Sequence, residues 1–212
     1  MHLSRFSAIC MAAGLLAAGT VILRASPGAG PGPPGHASHG HEGVPEKFPE
    51  HPAVGEPAPD FSLRDLDGRW TALGESLGRG YVVVFFGSLS STALRKIAPE
   101  MNRLAKDWER LEVKVILVYT REAHPAALGE KAPRDYRERA ALARQARVEL
   151  ELGLPILVDE WDDAVHEAYG AMPDAAFLLD SRGTILVRQA RAGAPSLEKA
   201  LRKLLKVSGP PG

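Results

Sequence analysis

Five consecutive β-branched or aromatic residues, Val82 to Phe86, end at Gly87 and lead directly into Ser88, Ser90, Ser91 and Thr92. An apolar run without alternation is the pattern of a strand buried on both faces. The hydroxyl residues that follow supply N-cap chemistry for a helix starting near Thr92. A buried strand turning into a helix N-terminus restricts the chain to an α/β fold. It also collects backbone N–H groups and the positive end of the helix dipole where negative charge is stabilised, a thiolate included. The side chain that would use this field is absent. Of 212 residues one is cysteine, Cys10, and it lies in the N-terminal apolar segment. An intramolecular disulfide and a two-cysteine redox cycle are therefore excluded.

The remaining chain divides by composition. Met1 to Arg5 is short and basic and Phe6 to Leu23 is apolar, so residues 1–25 read as an export signal or an uncleaved membrane anchor, with residues 6–23 as the tether in the second case. Residues 26–54 are rich in Pro and Gly without periodicity and read as a disordered linker. Four of the seven histidines fall there, and the spacing of His36, His39 and His41 is that of a weak divalent-metal site. A flexible loop supplies no outer contacts to fix such ligands, so the plainer reading is a solvated His-rich tether. Residues 55–208 form the predicted domain. Charge is balanced, 26 basic residues against 26 acidic, which gives nucleic acid no purchase.

Within the domain, Phe61 to Leu73 reads as two short strands around an Asp67-Gly68 turn. The apolar positions Leu94, Ile97, Met101, Leu104, Trp108 and Leu111 predict a long amphipathic helix, kinked at Pro99. Val113 to Tyr119 is a second central strand, parallel to the first through a right-handed crossover. Further elements follow: a helix over Asp135 to Leu152, a strand at Pro155 to Val158 and a short helix at Asp162 to Tyr169. A hairpin of Ala175 to Leu179 with Thr184 to Gln189 comes next, then a closing helix from a cap at Ser196 to Val207. The expected architecture is a central mixed sheet flanked by helices, with an N-terminal β-hairpin extension.

This order, with Pro173 just before the last hairpin, resembles the thioredoxin-like redoxins (the AhpC-TSA group). Their turn after the first central strand reads F-W-A-x-W-C-x-x-C-R-x-x-x-P. Laid on this chain from Phe86, the cysteines fall on Ser91 and Leu94 and the R-x-x-x-P on Arg95 to Pro99. The turn is also similar to that of the iodothyronine deiodinases and their bacterial relatives, F-G-S-x-T followed by selenocysteine or cysteine. Phe86-Gly87-Ser88 matches it, and Ser91 stands at the chalcogen. YTREAHP, Tyr119 to Pro125, resembles that family's Y-x-E-E-A-H-P. The resemblance implies thiol or selenol oxidoreductase activity, with Glu122 and His124 supporting the nucleophile at position 91. It further implies a cis Pro173 and Arg191 near substrate, and a homodimer. No cofactor is implied.

A serine hydroxyl is not ionised near neutral pH and forms no disulfide. The reading that follows is an exported, redox-inactive member acting by binding a protein or small molecule at the former active-site face. Two alternatives stand beside it: an oxidoreductase retaining activity by another route, and a metal-binding module using the His-rich linker. Ser91, His124 and Glu122 formally make a Ser–His–acid set, but no G-x-S-x-G elbow accompanies them. The plainer reading is that Ser90 and Ser91 cap the helix.

Overall fold

The computed structural model describes residues 47–170 and 172–208. Residues 1–25, expected to be a signal or anchor and including Cys10, and the candidate metal residues His36, His39 and His41 lie outside the described residues. Among the described residues, no helix is long and apolar enough to cross a membrane.

Seven strands form one mixed sheet: β1 (Ser62–Asp65), β2 (Trp70–Ala72), β3 (Tyr81–Gly87), β4 (Val113–Tyr119), β5 (Ile156–Val158), β6 (Ala176–Leu179) and β7 (Ile185–Gln189). Their order across the sheet is β2-β1-β5-β4-β3-β6-β7. β3 and β4 pair in parallel over their whole length, Tyr81 with Val113 through Gly87 with Tyr119. β4 and β5 are also parallel, whereas β6 runs antiparallel to β3, and the β1–β2 hairpin joins antiparallel to β5. The C-terminal ends of β3, β4 and β5 therefore open on the same side.

Helices α1 (Thr92–Trp108), α2 (Tyr136–Glu149) and α4 (Ala194–Leu205) contribute to one core with Val83, Phe85, Val115 and Leu117. The opposite face gathers Val82, Val84, Phe86, Ile116 and Val118 with Phe61, Leu73 and Phe177. The short helix α3 (Ala164–Ala168) borders this second core through Val165 and Tyr169. The split follows from strand geometry: successive side chains point to opposite faces, so an uninterrupted apolar run must be covered twice.

Three local expectations change. α1 passes through Pro99 as one continuous helix. Pro99 and Arg95 are both exposed, so the Arg95 carbonyl that loses its partner faces water. α4 begins at Ala194 rather than at a Ser196 cap, because Pro195 lies in the first turn, where its missing N–H is not needed. The bond before Pro173 is not cis; among the described residues His51–Pro52 is the cis bond. The Ala175 N–H donates to the Met172 carbonyl at 3.2 Å, which puts Pro173 at the second position of a four-residue turn, where trans proline is preferred.

Residues 47–54, which composition places in the linker, carry contacts. Phe48 stacks edge-on against Phe177 at 6.1 Å, and the Arg188 guanidinium lies 3.9 Å over the Phe48 ring. Arg188 also donates to the carbonyls of Pro49 and Glu50.

Candidate functional site

The turn from β3 to α1 is held by two loops, one after β4 and one before β6, that meet it at the strand ends. Gly87 lets α1 sit close, since a Cβ there would come within 3.1 Å of the Leu94 side chain. Ser91 is 2% exposed and caps α1: its Oγ accepts from the Leu94 N–H at 3.1 Å. The same hydroxyl donates to Asp174 Oδ1 at 2.5 Å. Asp174 reaches it from the loop between Pro173 and β6, and that loop is fixed by the Ala192 N–H donating to the Asp174 carbonyl at 2.6 Å.

The loop after β4 closes the other side. The Ser90 N–H donates to Glu122 Oε2 at 2.8 Å, and the Tyr119 hydroxyl donates to Glu122 Oε1. The Leu89 N–H donates to that hydroxyl at 3.0 Å. Burial, with the Glu122 charge beside it, pushes the Tyr119 phenol well above its ordinary range, so it remains a donor. Two further bonds clip the loops together: Ala123 N–H to Ser88 Oγ at 3.0 Å and His124 N–H to Ser90 Oγ at 2.9 Å.

The residues singled out from sequence are thus arranged unevenly. Ser91 and Glu122 both lie buried at the turn but do not bond each other. The side chain of His124 is exposed, while its backbone is tied to Ser90. No Ser–His–acid relay is assembled: Ser91 pairs with Asp174 and Glu122 with Tyr119. Pro173 lies beside Asp174 in the facing loop and is half-buried; Arg191 precedes Ala192 and is exposed, with no ion-pair partner among the described residues. Asp174 was missed in the sequence. Its signal was its place, directly after Pro173, which the resemblance singles out.

Next to this turn lies a second polar cluster, at the end of β5. Arg139, 2% exposed on α2, bonds Asp163 Oδ1 at 2.8 Å and the carbonyls of Asp159 and Glu160 at 3.2 and 2.5 Å. Asp159 accepts from the Val165 and His166 N–H groups at 3.3 and 2.8 Å. Burial pushes its carboxyl up to about 6, with the Asp163 charge adding to the rise. Burial pushes the His166 imidazole down to about 4, so the ring is neutral, packed 5.9 Å from Phe86. A separate groove of 710 Å³, lined among others by Asn102, Lys106, Val113 and Leu154, lies at the opposite end of the sheet from Ser91. Among the described residues, no group of three or more His, Cys, Asp or Glu side chains is placed to hold a metal ion.

Comparison with known proteins agrees with this architecture. The chain is 32% identical over 134 residues to the thiol-disulfide oxidoreductase ResA of Geobacillus thermodenitrificans, covering 63% of this chain and 67% of that one. It is 31% identical over 153 residues to the ResA of Geobacillus kaustophilus, covering 72% and 76%. Among solved structures, the thioredoxin domain of a thiol-disulfide oxidoreductase from Bacteroides vulgatus superposes with a TM-score of 0.55 at 22% identity, over 70% of this chain and 97% of that one. The fold is thioredoxin-like. The AhpC/TSA family pattern matches residues 54–191, more than half of the sequence, and the chain belongs to that family.

Proposed function

We propose that this chain is an exported redoxin whose β3–α1 turn has lost its redox chemistry and serves to bind a partner at the face that His124 and Pro173 form around the buried Ser91. The observation that carries the reading is Ser91 itself, at the position where the redoxin and deiodinase patterns place a chalcogen. Its hydroxyl is committed to the Leu94 N–H and the Asp174 carboxylate, and the sequence holds no cysteine beyond Cys10. Reduction of a disulfide requires a thiolate that attacks sulfur and is then released by a second thiol. An alcohol at the end of a helix provides neither step. The EAHP motif supports the deiodinase-like branch, and the basic start followed by an apolar segment supports export.

A second reading has a specific observation in its favour: both relatives described above are named thiol-disulfide oxidoreductases. On that reading activity is retained with a thiol supplied from outside the chain.

Insulin reduction by dithiothreitol and thiol-driven deiodination of an aryl iodide separate the two. Added protein is expected to leave both rates at the level of reductant alone; acceleration of either overturns the redox-silent reading. The binding half is tested with a photo-crosslinking residue at position 124 and another at the exposed Val148. Cell-envelope adducts are expected from position 124 alone, and equal adducts from both would sink it.

A further inference from the structure

The N-terminus of α1 is not left uncompensated by the serine. The first turn of the helix carries no acidic residue of its own. Its charged members are Arg95, paired with Glu149 at 3.2 Å, and Lys96. The two carboxylates that reach the turn come from other elements. Glu122, from the loop after β4, accepts the Ser90 N–H and the Tyr119 hydroxyl. Asp174, from the loop before β6, takes the Ser91 proton donor at 2.5 Å while Ser91 Oγ in turn takes the Leu94 N–H. His124 stands at the rim with its side chain in solvent.

We propose that Asp174 is the resident anion at position 91, as Glu122 is at Ser90, holding through Ser91 the negative charge that the α1 N-terminus favours and so closing position 91 to any further anion. The inference rests on the redox-silent reading of Ser91 and goes one residue beyond it. Loss of activity is then a two-residue state, and a sulfur restored at position 91 faces a carboxylate at hydrogen-bond distance. Proximity of a like charge favours the neutral thiol, opposing the helix end, which favours the thiolate.

The test uses full-length protein carrying Cys10→Ser, so that one thiol is present. Ser91→Cys is compared with Ser91→Cys/Asp174→Asn and Ser91→Cys/Asp174→Ser, each checked for folding by circular dichroism. The pH midpoint of alkylation by iodoacetamide is read, rather than its rate, because position 91 is 2% exposed. The single variant is expected to titrate at or above the free-cysteine value of about 8.5, and the double variants at least about one pH unit lower, roughly tenfold more thiolate near neutrality. Equal midpoints overturn the proposal. A measurement without cysteine stands beside it: sodium sulfate should raise the melting temperature of Asp174→Asn, with Ser91 kept, more than that of the parent. Equal salt responses also overturn it. Neither outcome depends on turnover by the parent, which alone decides the redox-silent reading.

Discussion

Two polar clusters lie side by side at the C-terminal ends of the same parallel strands, and they manage charge in opposite ways. At the β3–α1 turn, Glu122 and Asp174 are met by hydroxyls and backbone N–H groups, and the fringe of the cluster, His124 and Arg191, faces solvent. At the end of β5, Arg139 and Asp163 neutralise each other, and His166 is buried against Phe86. The two strongest titration shifts in the physiological range, those of Asp159 and His166, belong to the second cluster. Perturbed titration is often a pointer to function. Here desolvation by packing causes it, while the β3–α1 turn consists of neutral donors and satisfied acceptors.

That contrast can be broken from the β5 side first. Arg139→Met should cost about 3–5 kcal/mol in urea unfolding, because it removes the buried cation 2.8 Å from Asp163, leaving only the half-exposed Arg121 at 3.7 Å, and strips the Asp159 carbonyl of its donor. A loss below 1 kcal/mol would mean that the cluster is not structural.

The next effect is a pH dependence in which two residues oppose each other. Asp159, raised from 3.8 to about 6, holds a proton in the folded state that the unfolded chain has released, so its contribution is full below about pH 4 and is lost as pH rises through 6. His166, lowered from 6.5 to about 4, is neutral when folded and charged when unfolded, so its contribution is complete above pH 6.5 and is lost as pH falls through 4. Relative to the parent, Asp159→Asn should therefore gain stability as pH rises from 4 to 6, and His166→Phe should lose it. Each difference is on the order of 3 kcal/mol at its extreme. Parallel stability curves for the two variants would show that neither group is linked to folding.

The smallest effect belongs to the turn. Ser91→Ala removes a helix cap and should cost about 1 kcal/mol in the same denaturation. A loss as large as that of Arg139→Met would erase the energetic distinction between the two clusters.

Much of this arrangement was readable from residue order, for reasons that differ by element. β3 and, apart from the exposed Lys114, β4 announce themselves because a strand covered on both faces needs apolar residues at nearly every position, and few other structures do. α1 is marked by its buried stripe of Leu94, Met101, Leu104 and Trp108, with Ser91 as its cap. α2 was harder to interpret: Arg139 looks like a solvated position in the sequence, yet it is buried because Asp163, 24 residues later, meets it. At the site, Ser91, Glu122 and His124 were legible as motif positions, whereas Asp174 was not. No spacing rule links it to Ser91, 83 residues away.

Sequence alone determined that residues 55–208 hold no cysteine, and it determined the strand-to-helix turn, because both are local: one is a residue count and the other a run of neighbours. Only the tertiary structure decided that Asp174 meets Ser91 and which of Glu122 and His124 faces inward. Those outcomes depend on side chains that loops bring together after the sheet has formed. Electrostatic and hydrogen-bond partners act over a few ångströms of space and leave no period in the chain.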